Sequence, residues 1–316
     1  MAGFDCKPTA KNHSISEKRI LRTLAEAGKV IAVVPGETSA EVSLGLLGVG
    51  QVSTFSGFCA KHDQELFAPI DNFNYEFGNV EQEFLFAYRT IARYHYYKLA
   101  WRYAQEEQLA ARRDVRAKGE KLRSVDLNRR LTDDEVGKLI QFHEEATADA
   151  ISTSLALRDL MGFLNSAIAR KDYAVAATRV IEFPDEYPVA QSGSLIVDGV
   201  SREGHPHMIT VNVIPQQGRT YALLSCTAGY GTLCIDGHLE RFCVGGKIDY
   251  RAAITHIVCM AGDPIAVKPS YWEALPENIR SSFVERLNVW AHGGVDPVQL
   301  DGSFNILQDS LLQPLE

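Results

Sequence analysis

Cysteine, methionine and tryptophan are scarce in this chain, at 6, 4 and 3 among 316 residues. Six cysteines are too few, beside so much other core-forming material, for a disulfide framework. Four of them (Cys226, Cys234, Cys243, Cys259) lie in or beside apolar runs such as YALLSC and ITHIVCM, where free cysteine packs as a small hydrophobe. No stretch approaches the roughly 20 uninterrupted apolar residues of a membrane helix. The start, MAGFDCKPTAKNHS, lacks the apolar run of a secretory signal, so a cytoplasmic protein without membrane contact is expected. GGKIDY lacks the flanks of a phosphate loop and reads as a turn. Ser225, Cys226 and His256 come without a G-x-S-x-G elbow and read as core; His205-x-His207 reads as a solvated loop.

Charge, by contrast, is unevenly placed. The net charge is −8, yet residues 89–130 hold 12 Lys/Arg against 5 Asp/Glu, which leaves −15 for the rest. The most basic part carries Arg112, Arg113, Arg116, Lys118, Lys121, Arg123, Arg129 and Arg130. Such a block is either a solvated face or a contact surface for nucleic acid or an acidic protein.

Hydrophobic periodicity divides the chain into three. Residues 1–75 are irregular: SEKRILRTLAEAG has the spacing of a helix, with Ser16 to cap it and Gly28 to stop it. KVIAVVP reads as a strand, residues 36–50 as a loop, and AKHDQELFAPI as a short helix. In residues 76–172 the period becomes helical, from an Asn79 cap to about Lys118, and again from a Thr132/Glu135 capping box to about Ile168. Two such helices, each about 50 Å long, predict an antiparallel hairpin with the basic block at its tip. The aromatics of FLFAYRTIARYHYYKLAWRY are core at this spacing, or platforms for base stacking. Residues 173–316 are β-rich: TRVIEF, SLIVDG, HMITVNVIP, TYALLSC and GTLCIDG predict hairpins of an antiparallel sheet, with ITHIVCM and PENIRSSFVERLNVWAH as helices.

The chemistry-bearing motif is GFCAKHDQELFAPID. Cys59-x2-His62 has the spacing of a zinc knuckle, in which a tight turn points two ligands at one ion. Cys6 and His13 are the other Cys and His before His95, so Cys6, His13, Cys59 and His62 would complete a structural Cys2His2 zinc site. Such a site would add folding free energy to a segment with little apolar content. The alternative is a core Cys59, with His62 and Asp63 as the polar start of a helix.

These residues also carry a resemblance. Cys6, His13-Ser14-Ile15-Ser16, Gly28-Lys29-Val30, the segment 53–70 and the aromatic helix after it resemble a group of uncharacterised bacterial proteins. More distantly, the N-terminal module is similar to zinc-stapled HNH (treble-clef) nucleases. That resemblance implies His13 as a general base and Cys59-x2-His62-Asp63 as the knuckle and its following residue. The chain departs from the HNH pattern in having one cysteine in the first half, Asp63 in place of Asn, and no later His to complete a catalytic metal site.

The expected fold is α+β: a zinc-stapled N-terminal module, a long antiparallel helical hairpin, and an antiparallel β-rich domain with packed helices. The leading functional expectation is a zinc-stapled binding protein that engages nucleic acid or an acidic partner through the hairpin. The alternatives are an HNH-derived metal-dependent nuclease of a bacterial defence system and a homo-oligomeric scaffold.

Overall fold

Alternation in KVIAVVP sends Val30 and Ala32 to one apolar cluster, and Ile31 and Val33 to another. A strand buried on both faces belongs in the middle layer of a three-layer arrangement. The computed structural model describes residues 11–36, 41–117, 123–124, 129–200, 206–227, 229, 231–262, 264–291 and 304–309.

In chain order the first elements are β1 (Asn12–His13), a π-helical turn (Glu17–Leu21) that runs into α1 (Arg22–Leu24), β2 (Lys29–Pro35), β3 (Val42–Gly48) and β4 (Thr54–Phe55). Next come α2 (Ala60–Leu66), α3 (Ala68–Asp71) and α4 (Val80–Ala117). A ribbon of β5 (Arg123–Ser124) and β6 (Arg129–Arg130) precedes α5 (Asp133–Arg170). The remainder is β7 (Ala176–Phe183), β8 (Val189–Val200), β9 (Pro206–Gln216), β10 (Arg219–Thr227), α6 (Leu233–Glu240), a second ribbon of β11 (Cys243–Val244) and β12 (Lys247–Ile248), α7 (Tyr250–Ala261), β13 (Ile265–Val267), α8 (Pro269–Ala274) and α9 (Glu277–Ala291).

Mixed helix and antiparallel sheet make the fold α+β, and α4 and α5 form the expected hairpin of 38-residue helices. Asn79 Oδ1 accepts from the Gln82 amide, and Thr132 and Glu135 form the full capping box. The main sheet has seven strands in the order β3-β2-β13-β8-β9-β10-β7, every pair antiparallel. One face packs on α4 and α5, the other on α7 and α9. No helix among the described residues is long and apolar enough to cross a membrane.

Several expectations are corrected here. The three-part division at residues 75 and 172 is not that of the hydrogen bonding, because β2 pairs with β13 and so joins the first segment to the last. The loop expected over residues 36–50 contains β3, whose Leu44 and Leu47 pack toward opposite cores. GTLCIDG, expected as a strand, is mostly α6: Ile235 and Leu239, four residues apart, are its buried side chains. The first helix stops at Leu24 rather than Gly28, since Glu26 and Lys29 close a tight turn through Ala27 and Gly28, both at positive φ.

Consecutive residues of β8 tie the layers together. Gln191 Nε2 donates to the carbonyls of Val258 (2.8 Å) and Gly262 (2.9 Å) at the end of α7. On the opposite face, Ser192 Oγ lies 2.8 Å from Thr90 Oγ1 of α4, which also donates to Asn212 Oδ1 at 3.0 Å. A Cβ on Gly193 would stand 2.8 Å from the Ala261 Cβ and 3.0 Å from its carbonyl oxygen. Gly193→Ala is therefore expected to cost about 1–3 kcal/mol by overpacking. A lowered urea midpoint checks it, and an unchanged midpoint would show that α7 has room to retreat.

Candidate functional site

The N-terminal residues fold around a short strand pair. Asn12 and His13 of β1 face Phe55 and Thr54 of β4, and Asn12 Oδ1 accepts from the amides of Gly57 (3.1 Å) and Phe58 (2.9 Å). Ser53, held at φ 59°, exchanges hydrogen bonds with the Ile15 backbone. These contacts fix His13 at the mouth of a polar cleft of about 410 Å³. The cleft also receives Glu17 from the π-helical turn, Asp63 from α2, Asp71 from α3 and Arg89 from α4, while Lys11 and Lys18 stand exposed along it.

Each of these groups has a defined neighbour. His13 Nδ1 lies 2.9 Å from the Val52 carbonyl, so that nitrogen carries the proton and donates. Nε2 is then left to face Glu17 Oε2 at 3.3 Å. Burial lowers the His13 pKa from its ordinary 6.5, against the opposing pull of the Val52 carbonyl and Glu17. Glu17 is held ionised mainly by its hydrogen bond from Arg22. Burial raises the Asp63 pKa, and Arg89 resists that shift. Arg89 is 3% exposed, forms a two-pronged ion pair with Asp71 and lies flat on the Phe67 ring at 3.9 Å.

Cys59 and His62 stand together at the start of α2, with Cys59 Sγ 3.2 Å from His62 Nδ1. Two ligands of one tetrahedral zinc would stand about 3.5 Å apart, given the usual Zn–S and Zn–N lengths, so this pair has a suitable bite. His13 is engaged by Val52 and Glu17, and Cys6 lies outside the described residues. Among the described residues no three His, Cys, Asp or Glu side chains are grouped to hold a metal. With Asp71 taken by Arg89, the cleft itself does not make a three-ligand site among those residues.

The basic block lies at the other end of α4, about 40 Å along the axis from Arg89. Arg112 bonds the Gln108 carbonyl, Arg113 pairs with Glu144 of α5 at 2.6 Å, and Arg116 is exposed. The β5–β6 ribbon brings the backbones of Arg123, Arg129 and Arg130 together at the tip, while Lys118 and Lys121 lie outside the described residues. Between cleft and tip, α4 exposes Tyr97 (43%) and Trp101 (52%), four residues apart on one stripe, and the Arg93 guanidinium lies over the Tyr97 ring at 4.5 Å.

Sequence reading named His13 and Asp63 but missed Glu17, Asp71 and Arg89. Arg89 was hidden among aromatics as one more charge, although an arginine in an otherwise apolar helical turn signals a buried acidic partner. Comparison with family models, curated proteins and solved structures yields no match for the chain.

Asp71→Asn leaves Arg89 buried without its countercharge. Because Asp71 keeps about a third of its side chain in solvent, the expected cost is about 1–3 kcal/mol rather than the larger figure for a fully buried pair. Chemical denaturation reads this directly, and a variant as stable as the parent would mean that solvent replaces the carboxylate.

Proposed function

We propose that the chain is a cytoplasmic hydrolase of nucleic-acid phosphodiesters, with His13 as its general base and the cleft around it as the reaction site. The observation that carries this reading is the placement of His13: Nδ1 lies 2.9 Å from the Val52 carbonyl and so holds a proton, which leaves Nε2, 3.3 Å from Glu17 Oε2, as the ring nitrogen that gains or loses one at the cleft. A neutral imidazole near neutral pH can take a proton from water. Glu17, kept ionised by Arg22, then stabilises the imidazolium. Asp63, whose pKa burial raises against the pull of Arg89, lines the same cleft and is the group assigned to protonate the leaving oxygen. Lys11 and Lys18 supply positive charge along the cleft for an anionic substrate. The HNH resemblance and the bite of Cys59 and His62 agree with a zinc-stapled module that holds this region in place.

A non-catalytic binding protein is the second reading. The exposed Tyr97 and Trp101 favour it, since solvent-facing aromatics suit stacked, unpaired bases, and the buried Arg93 backs the Tyr97 ring. The carboxylates spread along α5 argue against long duplex contacts along the hairpin, as the Arg113–Glu144 pair illustrates.

His13→Ala is expected to lower nucleic-acid cleavage about 10²- to 10⁴-fold while leaving binding intact. Equal cleavage by parent and variant would end the catalytic reading, whereas binding without cleavage in both would select the binding one. Glu17→Gln removes a charge that raises the His13 pKa, so the acid limb of the pH–rate profile, already expected below 6.5, should move further down. A limb that moves upward would contradict the assignment of that limb to His13.

For the module, purified protein is expected to carry about one zinc per chain, lost in Cys59→Ala together with much of the folding stability. A folded, metal-free parent protein would overturn the staple.

A further inference from the structure

Where α4 leaves the body of the protein, Tyr97 and Trp101 face solvent as neighbours on the helix surface. Exposed side chains ordinarily change rotamer within nanoseconds, yet Tyr97 is held at three points. Its hydroxyl donates to the Thr54 carbonyl at 2.9 Å. The buried Arg93 guanidinium lies over the ring at 4.5 Å, and Tyr96 packs against it edge to face at 5.5 Å. A ring held this way, with over two-fifths of its surface still open, has already lost the freedom that binding would cost. Thr54 sits opposite His13 in the β1–β4 pair, so the anchor of Tyr97 is one strand away from the cleft residue.

We propose that Tyr97 and Trp101 form a stacking platform for unpaired bases, which makes single-stranded nucleic acid the substrate class of the cleft. This inference rests on the hydrolase reading and adds a specificity to it. An aromatic face attracts any base of any sequence by stacking. In a duplex those faces are already covered by neighbouring base pairs, so only an unpaired base can lie on Tyr97 or Trp101. Charge points to the same polyanion, because residues 89–130 carry 12 Lys/Arg against 5 Asp/Glu in a chain of net charge −8. Arg102, beside Trp101, shares its charge with Glu106, so the positive charge facing a substrate is that of exposed Lys11 and Lys18 along the cleft.

The two rings are positioning residues, since neither touches the reacting bond. A base stacked on Tyr97 restrains the strand to which it belongs, and the Thr54 contact ties that restraint to the strand pair that carries His13. Binding energy gathered at the platform then holds a phosphodiester of the same strand in the cleft. Two outward rings on a helix that leaves the core thus gain a use that packing does not give them.

Fluorescence anisotropy on the full chain tests the platform, with a labelled phosphorothioate oligothymidylate of about 12 nucleotides as the cleavage-resistant probe. Trp101→Ala and Tyr97→Ala should each weaken binding about 5- to 150-fold, the loss of one stacked base. Trp101→Phe, which restores a stacking face, should recover most of that affinity. Tyr103→Ala removes a ring that is 59% exposed but off the stripe, and should bind as the parent does. A duplex of the same length should bind more weakly than the single strand and be indifferent to all these changes. In cleavage of unmodified strands, the effect of Trp101→Ala should fall on KM rather than kcat. Equal affinity for duplex and single strand, parental affinity in Trp101→Ala, or a parent dimer that Trp101→Ala dissociates would each overturn the platform. Trp101-dependent binding of single strands without cleavage would instead end the hydrolase reading and leave the platform standing.

Discussion

Residues 82–93 of α4 are buried on every side of the helix, and the rest of the molecule is organised around that enclosure. A helix hidden all round is ordinarily apolar all round. This one carries Gln82, Glu83, Arg89, Thr90 and Arg93, of which the first four link it to neighbouring segments. Gln82 bonds the carbonyls of Pro69 and Asn74, Glu83 accepts from the Tyr75 hydroxyl, Arg89 takes Asp71, and Thr90 reaches Ser192 and Asn212 on the sheet. Arg93 turns along its own helix toward Tyr97. The apolar residues between them supply burial, while these polar contacts select one rotation and one depth of insertion.

That fixed insertion explains why the cleft and the hairpin share one helix. The enclosed third of α4 lends Arg89 to the cleft that His13 lines, and the same rigid rod then leaves the body of the protein and carries Tyr97 and Trp101 into solvent. Tyr97 hydroxyl still touches home, donating to the Thr54 carbonyl of β4 at 2.9 Å. The strand pair that positions His13 and the stripe of exposed aromatics are therefore adjacent. A strand of nucleic acid lying on that stripe would meet the cleft at its inner end.

Much of this was legible in the sequence, and the failures have physical causes. Long helices announce themselves through caps, and the Thr132/Glu135 box and the Asn79 cap stand where local spacing puts them. The β8–β9–β10 meander was readable for the same reason, since consecutive strands that pair with each other need only local information, whereas β7 lies beside β10. Sheet membership of β2 was not readable, because its partner β13 has three residues and lies at the far end of the chain. The cleft was legible only where a motif named a residue: His13 and Asp63 were singled out, whereas Asp71 and Arg89 meet only in space. Cys226 and Cys234 were read as core, which agrees with their packing in and against the apolar cluster.

The pairing of β2 with β13 also governs when the molecule can fold. Ile31 must wait for Val267, about 240 residues later, before the strand between β2 and β8 exists. At ordinary rates of synthesis that interval is roughly 10–50 s. During it α4 and α5 can already coil, yet the sheet that encloses residues 82–93 is incomplete. A nascent chain in this state exposes a helix meant to be hidden on all sides, together with unpaired strand edges on β2 and β8. Only when a three-residue strand closes the middle of the sheet is that apolar surface covered, so the interval before it is the one in which the chain is most prone to aggregate.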